Sequence, residues 1–124
     1  AELLEFVKSA KFDALGCFAF SPEPGTAAAN MPDQIPDDIK RRRLEEIMLA
    51  QQQIAFAKNA QRIGDKLTCL VDSADNSAVK GRYYGQAPEI DGICIIKNSS
   101  AKPGQFVHTT VIASKHYDLI VEQL

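Results

Sequence analysis

The chain has 124 residues, 24% charged residues and a formal net charge of −2, which indicates one globular domain or two very small ones. This charge balance excludes the long-range attraction to nucleic acid that a basic surplus provides. No apolar run reaches the roughly 20 residues that a membrane span needs. The first residues also lack the basic and apolar regions of a signal peptide. We therefore expect a protein that does not enter a membrane. We also expect it to be a monomer.

The spacing of the three cysteines bears on metal binding and on the cellular compartment. Cys17, Cys69 and Cys94 form no CxxC pair, no zinc knuckle and no CxxxCxxC run. Cys69 and Cys94 lie in apolar stretches, where a thiol behaves as a small hydrophobic group, so we expect both to be buried and unreactive. His108 and His116 lack a second ligand at metal spacing, and we predict no metal site. This pattern favours a reducing, cytoplasmic location.

The N-terminal region has the pattern of half an α/β repeat. Residues 2–10 carry apolar side chains at helical spacing, and residues 12–20 form an almost continuous apolar run. The run is typical of a strand buried on both faces, as in a parallel sheet covered by helices. The first helix begins partway along its pattern, so we expect the chain to be a piece of a longer protein.

A proline-rich turn follows the predicted strand. Two prolines restrict φ in Ser21–Thr26, and Gly25 can adopt a positive φ, so the turn should be stiff and should present Glu23. A plain loop is the alternative. Its position favours a site, since loops at the carboxyl ends of parallel strands are where α/β proteins bind ligands.

A long helix is predicted next. Pro36 suits a helix start, Asp37 and Asp38 suit the positive end of the helix dipole, and Gly64 suits the end. Such a helix is a rod of roughly 40 Å, long enough to link two bodies, and we place the domain boundary after residue 63. The basic run in its first turns indicates a solvated face. The predicted buried stripe consists of Leu44, Ile47, Met48, Gln51, Ile54 and Ala55.

After Gly64 the hydrophobic period changes from 3.6 to 2, which predicts β-structure. Turn residues separate the apolar runs, and no helix lies between them. A small OB-like barrel is the usual solution at this size, and such barrels bind ligands on one face and its loops. The predicted strands are Lys66–Val71, Ala78–Tyr84, Gly92–Lys97, Gln105–Ile112 and Tyr117–Val121.

Two segments of the predicted barrel could bind a partner. Arg82, Tyr83 and Tyr84 either form a stacking platform for single-stranded nucleic acid or supply the core and rim of a strand. Glu89 and Asp91 are two residues apart, so in an extended segment they share a face. Pro88 and Gly92 bound them, which predicts a loop tip or a strand edge. The two carboxylates would repel phosphate and attract Lys or Arg, which predicts a basic protein partner. A solvated acidic loop without a partner is the alternative.

Seven short motifs, in this order, resemble the RimO family of radical-SAM methylthiotransferases. The element Ala87–Gly92 is the most specific, because it separates RimO from its tRNA-modifying relative MiaB. The motifs are Ser21–Thr26, Met31–Pro36, Gln51–Ala55, Gly81–Arg82, Ala87–Gly92, Lys102–Gly104 and Tyr117–Leu119.

The resemblance implies a fold and an activity. Residues 1–63 would be the last strand and helix of an incomplete radical-SAM barrel, a TIM-like α/β fold, and 64–124 a TRAM domain. The parent enzyme would add a methylthio group to an aspartate of a small-subunit ribosomal protein, using S-adenosylmethionine and two [4Fe-4S] clusters. Because the cluster cysteines are absent here, this chain alone is expected to be inactive and to hold no cofactor.

The resemblance also assigns site residues. Phe18, Phe20 and Ser21 would lie near S-adenosylmethionine, and Glu23 near the substrate entrance. The TRAM residues expected to contact the basic protein substrate are Arg82, Tyr83, Glu89 and Asp91.

Departures from the family pattern and rival functions qualify these expectations. Gln86 and Gln105 stand where many RimO sequences have acidic residues, so we expect a milder acidic surface. One rival is an RNA-binding module of the MiaB type. The other is a barrel that only buttresses the catalytic domain.

Overall fold

The computed structural model describes all 124 residues and divides into two compact units, Ala1–Gln53 and Ile54–Leu124. None of its helices combines the length and hydrophobicity that a membrane span requires.

The first unit begins with the predicted amphipathic helix α1, Glu2–Ala10, whose Val7 is buried. Glu2 and Glu5 lie in its first turn and Lys8 in its last, which suits the helix dipole at both ends. Lys11 ends the helix in a left-handed conformation, and its N–H donates to the Val7 carbonyl. The predicted helix over residues 2–10 is confirmed.

The strand predicted over residues 12–20 is not present in this structure. The backbone there has no sheet partner, and Phe18 is 95% exposed. A strand is held by hydrogen bonds to a neighbouring strand, and every strand of this chain belongs to the barrel of the second unit. The apolar run therefore has no neighbouring strand to pair with among the strands of this chain. A remnant of a larger α/β barrel therefore stays a prediction.

The turn after this run forms as predicted. Gly25 has a φ of 82°, and the N–H and hydroxyl of Thr26 both donate to the Glu23 carbonyl, at 3.3 and 2.7 Å. Pro24 and Gly25 thus occupy the central positions of a tight turn in which only the second needs a positive φ. The Glu23 side chain is exposed. A short 3-10 turn, Ala28–Asn30, follows.

The long helix α2, Asp37–Gln61, starts and ends close to the predicted residues. The Pro36 carbonyl accepts from the N–H groups of Ile39 and Lys40, and Gly64 follows the helix with a φ of 95°. In the predicted stripe Ile47, Gln51 and Ala55 are buried and the other members half-buried, so the stripe is confirmed.

The second unit contains a closed five-stranded barrel in the order β1-β2-β3-β5-β4. All pairs are antiparallel except β3 with β5, and β-bulges interrupt β1 and β4 after Val71 and Val111. The predicted five-stranded barrel is confirmed. The strands are β1 Lys66–Ala74, β2 Val79–Arg82, β3 Cys94–Lys97, β4 Phe106–Lys115 and β5 Asp118–Gln123.

Alternation along these strands builds the core. Cys69 and Val71 point inward from β1, while Lys66, Thr68 and Asp72 are exposed. The inward side chains of all five strands meet in one buried cluster. Closure leaves no unpaired outer strand, so ligands must use the outer face and the loops.

Candidate functional site

An open groove of about 860 Å³ lies on the outer face of the barrel. It runs over β1 and the first residue of β4, and the segment after β2 forms one wall. The pairing register places Leu70 opposite both Phe106 and Arg82, so these three side chains form one row across three strands.

The groove carries positive charge and exposed aromatic surface. Lys66 and Arg82 line it, and Arg82 Nε lies 3.3 Å from Asp72 Oδ1, so part of its charge is balanced. Tyr84 is 98% exposed and Phe106 is 71% exposed. Neither Lys66 nor Phe106 was singled out from the sequence. The available signal was the alternation of the strands: each is the first residue of its strand, and each side chain points outward.

The neighbouring tyrosines have different environments. Tyr83 is buried in the core cluster and Tyr84 stands in solvent, with ring centroids 5.5 Å apart at 86°. Tyr83 therefore belongs to the core of the barrel and Tyr84 to its surface, and the two rings do not form a pair of parallel stacking platforms. Tyr84 still offers one free aromatic face at the groove.

The buried side chain of Gln86 holds the wall of the groove in place through hydrogen bonds. Its side chain is only 8% exposed, and its Oε1 accepts from Tyr83 N–H at 3.3 Å and from the Cys94 thiol at 3.2 Å. The Gln86 N–H donates to the Tyr83 carbonyl at 3.0 Å, which closes the turn. The expectation that Gln86 makes the surface less acidic is wrong, because this residue is not on the surface. Gln105, by contrast, is exposed.

The acidic segment is a loop, one of the two forms predicted for it, and its backbone is curled and not extended. Asp91 N–H donates to the Ala87 carbonyl at 3.2 Å, and Asp91 Oδ2 accepts from Ala87 N–H at 2.8 Å. Glu89 has a positive φ of 64°, which curls the chain between them. The two carboxylates therefore differ: that of Asp91 closes the loop and lines the groove, while Glu89 is exposed at the tip.

Gly92 is required by a close approach between two backbones. A Cβ at this position would lie 1.9 Å from the Tyr117 carbonyl oxygen. Beside it, Ile93 N–H donates to Asp118 Oδ1 at 2.9 Å, and Leu119 N–H donates to the Ile93 carbonyl at 2.9 Å. Two of the sequence motifs, Ala87–Gly92 and Tyr117–Leu119, are thus in contact.

The residues expected near S-adenosylmethionine lie in the first unit. Phe18, Phe20, Ser21 and Glu23 are all exposed there. The Phe20 carbonyl accepts from Lys40 Nζ at 3.1 Å, and the same ammonium lies 5.4 Å from the Phe20 ring centroid. Of the predicted substrate residues, Arg82, Tyr83 and Asp91 line the barrel groove.

The cysteines do not fit an iron–sulfur cluster. Such a cluster needs several Cys thiolates, and Cys69 and Cys94 face each other in the apolar barrel core while Cys17 belongs to the first unit. No three His, Cys, Asp or Glu side chains are arranged to hold a metal ion. Contact with Cys69, together with burial, raises the pKa of Cys94. The predicted burial of both thiols is confirmed.

Comparison with known proteins agrees with the motifs. A family profile described as "TRAM domain" matches residues 63–124, half of the chain, and the chain therefore belongs to the TRAM domain family. The chain is 42% identical over 118 residues to the ribosomal protein uS12 methylthiotransferase RimO of Vibrio cholerae. It is 41% identical over 120 residues to that of Pasteurella multocida and 36% over 118 to that of Aeromonas salmonicida. The resemblance to the RimO family is confirmed.

These alignments cover 94% of this chain but only 25–27% of each relative. The chain thus spans about a quarter of the length of the curated relatives it matches.

Proposed function

We propose that this chain is the C-terminal part of a cytoplasmic methylthiotransferase that modifies an aspartate of a small-subunit ribosomal protein. Similarity to RimO proteins along 94% of the chain supports this. Residues 1–63 would complete the radical-SAM domain and 64–124 would be its TRAM domain. In this proposal S-adenosylmethionine and both [4Fe-4S] clusters are held by the parent outside this chain. The chain alone would then be inactive, since its cysteines do not fit a cluster.

Within that enzyme, the barrel would dock the basic protein substrate. The observation that carries this proposal is the exposed carboxylate of Glu89 at the tip of a closed turn, directly after Pro88 of the groove wall. An exposed charge that is held by a rigid turn can steer an oppositely charged partner and set its register. Ile90, 84% exposed beside it, adds an apolar contact for the same partner.

The test is the affinity of the chain for purified ribosomal protein uS12, which the relatives' names give as their substrate. Glu89→Lys alone is the informative change, because Asp91 also closes the loop and its replacement would confound charge with folding. Reversing one exposed charge should weaken binding about three- to tenfold and should lower its salt dependence. The matched control is Glu46→Lys, the same change at an exposed position of α2.

Equal loss of affinity in both variants would mean that only the net charge of the chain matters, and it would contradict docking at Glu89. If neither variant lost affinity for uS12, Glu89 would not be part of the docking site, and the barrel would have only the structural role of supporting the catalytic domain.

RNA binding is the second candidate, favoured by the exposed rings of Tyr84 and Phe106 beside Lys66 and Arg82. In that case a single-stranded RNA would bind with an affinity that falls steeply with salt, at a log–log slope of about −0.7 for each phosphate neutralised. Tyr84→Ala would weaken RNA binding, whereas Glu89→Lys would strengthen it. The opposite signs of the Glu89 effect on uS12 and on RNA separate the two functions.

A further inference from the structure

The last two turns of α2 contact the turn between β4 and β5. The ring of Phe56 contacts the rings of both His116 and Tyr117, with centroid distances of 5.2 and 4.8 Å. The Tyr117 contact is edge-on at 72°, a favoured geometry for aromatic pairs. Asn59 Nδ2 donates to the His116 carbonyl at 3.1 Å. Because His116 has a φ of 58°, this contact holds a residue in a sparsely populated conformation.

The same β4–β5 turn supports the segment that lines the groove, residues 83–92, which we call the docking segment. Tyr117 presses its carbonyl against Gly92 so closely that no Cβ fits between them. Asp118 then accepts from Ile93 N–H at 2.9 Å. A shift of the β4–β5 turn must therefore move the end of the docking segment, and with it the Glu89 tip.

A second contact reaches the other end of the docking segment. The Arg62 guanidinium lies 5.4 Å from the ring centroid of Tyr83, in the range of a cation–π interaction. Phe56, Asn59 and Arg62 follow one another at three-residue spacing, so they continue along one side of the helix and its C-terminal turn. One side of α2 and the turn that follows it thus contacts Tyr83 through Arg62 and Gly92 through Tyr117.

We propose that Phe56, Asn59 and Arg62 are positioning residues that hold the docking segment in its observed shape. A binding loop ordered in advance loses less conformational freedom when its partner binds, which favours affinity. The effect on binding rests on the function proposed above, whereas the effect on loop order does not depend on it.

The test measures amide hydrogen exchange and uS12 affinity in the same variants of the full chain. Phe56→Ala removes both ring contacts, Phe56→Tyr keeps them, and Leu49→Ala truncates an exposed apolar side chain elsewhere on α2. In Phe56→Ala the amides of Asp91 and Ile93 should exchange about tenfold faster, while those in the middle of β1 and β4 stay protected. Affinity for uS12 should fall about fivefold, and both other variants should match the unaltered chain.

Exchange in Phe56→Ala within about twofold of the unaltered chain would overturn the proposal. So would faster exchange spread evenly over the barrel, because that is the signature of a general loss of stability. If exchange rises only in the docking segment but uS12 fails to bind even the unaltered chain, the positioning role stands and the proposed substrate falls.

Discussion

Replacing Gly92 by Ala should destabilise the barrel strongly, although it adds a single methyl group. The added Cβ would lie 1.9 Å from the Tyr117 oxygen and 2.5 Å from its carbonyl carbon, whereas ordinary contacts begin at 3.4 Å. Both neighbours are backbone atoms, so no side-chain rotation relieves the overlap. The two segments must separate by about 1.5 Å.

The size of that separation determines how much stability Gly92→Ala should lose. The separation would stretch the hydrogen bond from Ile93 N–H to Asp118 and the one from Leu119 N–H to the Ile93 carbonyl, both 2.9 Å long, beyond bonding range. Two lost hydrogen bonds, one to a carboxylate, together cost about 2–4 kcal/mol. For a unit of this size that lowers the melting temperature by about 10–25 °C.

Tyrosine is a convenient probe for the measurement. The chain has no Trp, and its three tyrosines, Tyr83, Tyr84 and Tyr117, all lie in the barrel unit, so the tyrosine band of the near-ultraviolet circular dichroism spectrum, above the phenylalanine bands, follows that unit. Gly16→Ala is the matched control, since a Cβ there meets nothing within 4 Å. A melting temperature of Gly92→Ala within about 3 °C of the unaltered chain would refute the reasoning from close approach.

Two further predictions concern titratable groups. Hydrogen bonds from the Ser77 hydroxyl and from the Ser77 and Ala78 N–H groups lower the pKa of Asp75 from 3.8 to about 2. A depressed carboxyl pKa stabilises the fold above the unfolded value and loses that effect as pH falls through the folded value. Asp75→Asn should therefore lower the melting temperature at pH 7 and do so much less at pH 2, and a pH-independent difference would count against the charge. Thiol titration of the native chain should modify Cys17 alone, because Cys69 and Cys94 have no exposed surface, although contact with Cys94 lowers the pKa of Cys69 to about 7. Rapid reaction of more than one thiol before unfolding would contradict this.

Local patterns predicted most of the elements. The change of period after Gly64 identified all five strands, and the caps around Asp37 and Gly64 located α2. Such signals succeed because helix and strand periodicity depend on residues close together in the chain. The burial of Cys69 and Cys94 followed from the same alternation.

One failure depends on partners distant in the chain, and the other two depend on side-chain hydrogen bonds within or next to one turn, which hydrophobic periodicity does not predict. Residues 12–20 have the composition of a buried strand, but no strand of this chain lies beside them. Asp91 was predicted to share a face with Glu89, but its carboxylate turns back to Ala87. Gln86 was interpreted as a surface residue, although Cys94 and Tyr83 enclose its amide. The composition of a segment does not predict these contacts.

The sequence alone therefore predicted both α-helices, the five strands of the barrel and the resemblance to the RimO family, because each depends on residue types at short spacing. Only the tertiary structure decided what the acidic loop presents. Gly92 packs against Tyr117 and the Asp91 carboxylate accepts from Ala87 N–H, which leaves Glu89 as the exposed carboxylate at the tip of the loop. The physical reason is that hydrogen bonds between Ala87 and Asp91 curl the loop and that Gly92 packs against Tyr117, 25 positions away; hydrophobic periodicity predicts neither contact.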